Sequence, residues 1–114
     1  MKPTMPKTST ITIALADLAE GKMIARDAGG REIMVCRTKD GIYAVDNICS
    51  HALARLNEGR LRGFRVICPL HGAAFDVRTG AVLGAPAARS IACFAVRTDG
   101  TQATIVVPET PPVS

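Results

Sequence analysis

The sequence predicts an all-β domain, an antiparallel sandwich or barrel of short strands. Two observations carry the prediction. No stretch of ten or more residues keeps a helical period of apolar positions, and alternating segments recur with turn residues every eight to twelve positions. A third sets the scale: 114 residues suit one domain that buries its own core. That core must come from Ile, Val, Leu and three Phe, because there is no tryptophan and a single tyrosine.

The elements follow in order. Residues 10–13 alternate polar and apolar side chains, as a half-buried strand does. Residues 17–21 read as a turn. Residues 22–26 and 31–37 predict two strands joined through Ala28-Gly29-Gly30. Lys39-Asp40-Gly41 predicts a second tight turn, because Asp-Gly readily supplies positive φ angles, and it leads into a strand at 42–46. From Asn47 to Ala54 the alternation stops and a loop is expected. Leu61-Arg62-Gly63 then turns the chain into a strand at 64–67, which enters a second loop at Cys68. Phe75-Asp76-Val77 precedes a turn at Arg78-Thr79-Gly80, and Gly84-Ala85-Pro86 reads as another loop. Residues 91–97 and 104–107 predict a last hairpin across Thr98-Asp99-Gly100. The domain is expected to span 10–107, between flexible tails at 1–9 and 108–114.

Charge and hydropathy narrow the class of function. The longest strongly apolar runs, such as Ile105-Val106-Val107, are far below a membrane span, and the basic N-terminus has no apolar segment behind it. A cytoplasmic protein without a membrane association is expected. The net charge of +4 comes without a basic run or interleaved aromatics, so no nucleic-acid partner is expected. Between Asn47 and Arg97, however, seven arginines stand against only Glu58 and Asp76. Those arginines either scatter over a solvated surface or present a basic face to an acidic partner.

Two motifs hold the chemistry: Cys49-Ser50-His51 and Cys68-Pro69-Leu70-His71. The chain has only two histidines, and each lies within three residues of a cysteine. Sixteen residues separate His51 from Cys68, enough for a strand-and-turn excursion that returns the second loop beside the first. Without an export signal the cysteines should be reduced, so metal binding or burial outranks disulfides. Two cysteines and two histidines satisfy tetrahedral zinc, which would make the chain a zinc-stabilised binding module. Zinc fingers usually pair like with like in each knuckle, whereas here each loop offers one of each. Nucleophilic Cys–His catalysis would use one pair and leave the other unexplained. A [2Fe–2S] cluster uses all four, with two thiolates on one iron and two imidazoles on the other. Cys36 and Cys93 lie in expected strands and read as buried small hydrophobes.

C-x-H, a sixteen-residue gap and C-P-L-H-G together resemble the Rieske signature. The surrounding sequence, from about Thr10 to Val107, is similar to the ferredoxin components of bacterial aromatic-ring-hydroxylating dioxygenases. The resemblance implies an antiparallel Rieske sandwich with a small cluster-binding subdomain. It implies one [2Fe–2S] cluster, with Cys49 and Cys68 on the inner iron and His51 and His71 on the outer. It makes the loop at Gly84-Ala85-Pro86 similar to the proline loop that covers the cluster. The implied role is that of a carrier, itself without catalysis, taking single electrons from a ferredoxin reductase to a terminal oxygenase. The small subunit of another Rieske oxidoreductase is the alternative.

The departures from other Rieske proteins are informative. Where the subunits of respiratory complexes carry two further cysteines in a disulfide, this chain has Ala54 and Leu70. Where they carry serine and tyrosine hydroxyls that donate toward the cluster, it has Ala73 and Phe75. Neither residue can donate, so a potential near the low end of the Rieske range, around −150 mV, is expected. No histidines remain for the mononuclear iron site of an oxygenase large subunit.

Overall fold

The computed structural model describes residues 8–50, 53–70, 72–84 and 89–108. The strands are β1 (Thr8–Ala14), β2 (Met23–Ala28), β3 (Arg31–Thr38), β4 (Gly41–Asp46), β5 (Arg60–Arg62), β6 (Arg65–Ile67), β7 (Ala74–Asp76), β8 (Val82–Gly84), β9 (Cys93–Thr98) and β10 (Gln102–Pro108). The described helical content is two single turns of 3₁₀ helix, Leu15–Asp17 and Leu56–Glu58. All strand pairings are antiparallel, in a six-stranded sheet of order β1-β10-β9-β4-β3-β2 and a four-stranded sheet β5-β6-β7-β8.

The smaller sheet is an excursion out of the larger one, between β4 and β9. It closes where it opens: the Asp46 N–H donates to the Ala92 carbonyl (2.9 Å), and the Ala92 N–H donates to the Asp46 carboxylate (3.1 Å). The chain therefore leaves and re-enters at one point, which makes residues 47–92 a subdomain seated on the main sheet.

Two cores result, and β3 and β4 lie between them. On one face Ile33, Val35, Ile42 and Ala44 join Ile11, Ile13, Ala103, Ile105 and Val107 inside the curl of the large sheet. On the other, Met34, Cys36 and Val45 pack against Leu56, Val66, Phe75, Val77, Cys49 and Cys68 of the subdomain. This explains why 33–36 is apolar without alternation: both faces of β3 are covered. The edge strand β1, with one covered face, alternates as the sequence predicts.

The hairpins follow their turn residues. Ala28 pairs with Arg31, leaving Gly29 and Gly30 as a two-residue loop with φ of 59° and 77°, a type I′ turn. In the next hairpin Thr38 pairs with Gly41, so the loop residues are Lys39 and Asp40, and the positive φ (146°) falls on Gly41 at the start of β4. Leu61 and Arg62, expected in a turn, are instead in β5, paired with Val66 and Arg65, and the turn moves to Gly63 with φ of 62°. The three-residue β5 and β8 are too short for alternation to mark them. β1 takes in Thr8 and Ser9 and β10 ends on Pro108 opposite Thr8, while 1–7 and 109–114 fall outside the described residues.

One cysteine contradicts the sequence reading. Cys36 is buried, but Cys93 is exposed, because Phe94 and Val96 take the covered face of β9 and the odd positions point outward. Burial pushes the Cys36 thiol up to about 12, against a smaller opposing contribution from a backbone hydrogen bond at Tyr43. The thiolate is the nucleophile, and burial keeps Cys36 in its thiol form. Maleimide labelling of the native holoprotein should therefore modify Cys93 quickly and leave Cys36 untouched. Cys93→Ser should abolish the fast phase; its persistence would contradict this placement.

Candidate metal centre

Cys49 and Cys68 occupy equivalent places in two loops. In the first, Ile48 pairs with Arg55 as a single bridge, and the Cys49 N–H donates to the Ala54 carbonyl at 2.9 Å. In the second, Ile67 pairs with Ala74 at the end of the β6–β7 ladder, and the Cys68 N–H donates to the Ala73 carbonyl at 2.7 Å. Each cysteine is thus the first residue beyond a paired one, with its N–H bound to the carbonyl five positions on. The two thiols belong to one buried core, 4% and 2% exposed, and are neighbours there.

Burial raises the Cys68 thiol above its ordinary range, and the neighbouring Cys49 adds to that. A backbone hydrogen bond from Leu70 opposes it. Two neighbouring thiols in an apolar core do not both ionise unless a cation compensates them. Once ionised they are the soft donors that iron–sulfur clusters and zinc take. The donor set therefore fits a metal group. Among the described residues no third cysteine, histidine or carboxylate joins the pair. The other two expected ligands, His51 and His71, lie outside the described residues.

Neighbouring residues hold the loops in place. Asn47 is fully buried, and its side chain both accepts from the Asn57 N–H (2.9 Å) and donates to the Asn57 side chain (2.8 Å). With the Leu56 N–H on the Asn47 carbonyl (2.7 Å), this clasp closes the base of the first loop. Sequence reasoning missed it; two asparagines ten positions apart are an ordinary loop composition. The Ser50 hydroxyl donates to the Arg89 carbonyl, which ties the first loop to the chain entering β9. Ala85 and Pro86 of the expected covering loop fall outside the described residues. Gly72 has φ of 73° and open space where a Cβ would stand, so among protein atoms it is the turn that requires glycine.

Ala73 and Phe75 are fully buried in the same core as the two thiols. Hydroxyl donors are therefore replaced by apolar packing. Around the loops the surface is partly apolar, with Leu53 93% and Leu70 47% exposed, one on each loop.

Comparison with known proteins places this geometry. The model of the Rieske [2Fe-2S] domain matches residues 9–95, so the chain belongs to the Rieske [2Fe–2S] domain family and carries the one cluster of such a domain. The ferredoxin component of the naphthalene 1,2-dioxygenase system of Pseudomonas putida is 39% identical over 85 residues, 75% of this chain and 82% of that one. The ferredoxin of carbazole 1,9a-dioxygenase from Nocardioides aromaticivorans IC177 superposes with a TM-score of 0.80 at 37% identity, covering 93% of this chain and all of that one. A complex of reduced oxygenase and oxidized ferredoxin in carbazole 1,9a-dioxygenase contains a chain with a TM-score of 0.82 at 28% identity, covering 90% of this chain and 97% of that one. These relatives are ferredoxins, the electron-transfer components of dioxygenase systems rather than the catalytic ones, and this chain is of that kind.

Proposed function

We propose that Cys49, His51, Cys68 and His71 hold the cluster, and that the protein carries single electrons from a ferredoxin reductase to the terminal oxygenase of an aromatic-ring-hydroxylating system. The observation that carries the reading is the burial of the Cys49 and Cys68 thiols in one core, at matched positions of two loops. The sequence sets one histidine two residues after Cys49 and the other three residues after Cys68.

When bound, the cluster supplies a one-electron couple. The residues of the chain supply its surroundings. Met34, Val66, Phe75 and Ala73 keep water from the thiolate side, and the Asn47–Asn57 clasp fixes the loop base. The exposed Leu53 and Leu70 offer apolar contact to a partner on the loop side. No described helix is long and apolar enough to cross a membrane. A cytoplasmic site of action is part of the proposal, as is a place in the breakdown of aromatic hydrocarbons.

The test is reconstitution. A reductase and a terminal oxygenase of an aromatic-ring-hydroxylating system are combined with the purified holoprotein and NADH. Product should form only when all three components are present. Turnover that is equally fast without this protein would contradict the carrier role.

A further inference from the structure

The structure distributes the seven arginines unequally. Arg55 is held by Glu32 at 2.9 Å, and Arg78 by Asp76 at 2.8 Å while it stacks over Phe64 at 3.8 Å. Those two are engaged. Arg60, Arg62 and Arg65 form no ion pair among the described residues, and all three are exposed on the β5–β6 hairpin. Arg62 and Arg65 are direct cross-strand partners, and Arg60 shares a strand face with Arg62 two residues away. Like charges opposite each other in a ladder destabilise it, so the fold gains nothing from this arrangement. The three line one open cleft of about 700 Å³ beside Cys68, Pro69 and Gly72, with Glu58 its one carboxylate among the described residues. A cationic surface therefore runs up to the second cysteine loop itself.

We infer that this face is the docking surface for the reductase, whose matching surface is rich in carboxylates. The inference rests on the reading above that a reductase supplies the electron. The choice of partner follows from charge. The reductase must bind the oxidised protein and release the reduced one. On docking, one electron leaves the reductase and enters this protein, with no bond made or broken, and one negative charge is added beside Cys68. That charge weakens the attraction between the arginines and an acidic partner by a few-fold in affinity, which favours release after transfer. An acidic oxygenase on the same face would meet the opposite order, holding the protein more tightly once the electron had left.

The experiment uses holoprotein and the reductase that supports turnover in the reconstitution. Stopped-flow reduction and equilibrium binding are measured at low and high salt for wild type, Arg62→Gln, the triple variant Arg60→Glu/Arg62→Glu/Arg65→Glu, and Arg97→Glu on β9 as a single charge-reversal control away from the hairpin. The triple variant should be reduced at least about tenfold more slowly at low salt and should lose most of the salt dependence. Arg62→Gln should slow reduction while leaving the melting temperature unchanged or higher, because it relieves the like-charge pair. Arg97→Glu should change little. Wild-type binding should be a few-fold weaker for the reduced than for the oxidised form. The visible spectrum reports that the cluster is intact in each variant. Reduction of Arg62→Gln and the triple variant as fast as that of Arg97→Glu overturns the inference, and so does a defect confined to transfer to the oxygenase. If wild type accepts no electron from any reductase, the carrier reading itself fails, and the inference with it.

Discussion

Cys49→Ser and Cys68→Ser are each expected to yield protein without the cluster, without visible absorbance and without electron transfer. The expectation does not rest on burial alone, because Cys36 is equally buried, in the same core, and provides the comparison. Serine at any of the three positions places a hydroxyl where a thiol packed, a cost of about 1–3 kcal/mol if it finds no partner. Only at 49 and 68 does it also remove a thiolate from the neighbouring pair at the two loops. Cys36→Ser should therefore lower the melting temperature yet keep full colour and two irons per chain, about the content of one [2Fe–2S] cluster. Loss of the cluster in Cys36→Ser to the same degree as in Cys68→Ser would mean that core packing, not ligation, governs its retention.

The second large effect is expected at two glycines that let backbone approach backbone. A Cβ on Gly59 would stand 1.9 Å from the Ile67 carbonyl oxygen, and one on Gly80 would stand 2.0 Å from that of Ile91. Neither obstacle is a flexible side chain. Gly59 ends the 3₁₀ turn after the first loop and abuts the residue before Cys68, so it sets the spacing between the two loops. Gly80 closes the turn before β8, with its carbonyl accepting from the Ile91 N–H at 2.9 Å. Gly80 also has φ of 83°, whereas Gly59 has an ordinary negative φ. Alanine at either position should cost on the order of 4–5 kcal/mol, a large share of a typical domain's 5–15 kcal/mol. Gly30→Ala, with φ of 77° and nothing within 4 Å, isolates the backbone strain and should cost only about 1 kcal/mol. Thermal melts followed by circular dichroism measure the difference. Equal midpoints for Gly59→Ala and Gly30→Ala would show that the backbone contact relaxes at little cost.

What the sequence made legible follows from how each feature is encoded. Turn pairs such as Gly29-Gly30 and the alternation of β1 are local signals, and both predict the observed elements. The two cysteine motifs are local as well, and their loops meet as the sixteen-residue spacing implies. Features set by tertiary contact were not legible. The exposure of Cys93 depends on which face of β9 is covered, and its apolar flanks Ala92 and Phe94 give no sign of it. The docking reading of the arginine-rich half also needed the structure. Sequence counts Arg55 equally with Arg62, but only the fold places Glu32 beside Arg55 and leaves Arg62 facing Arg65. The Asn47–Asn57 clasp and the close approach at Gly59 are likewise written in distances rather than in residue types.

Metal and acid-labile sulfide analysis of anaerobically purified protein tests the central claim most directly. One Rieske cluster on Cys49, His51, Cys68 and His71 predicts about two irons and two sulfides per chain, with a red-brown colour that is lost in Cys68→Ser. One zinc per chain, no sulfide and a colourless protein would contradict it.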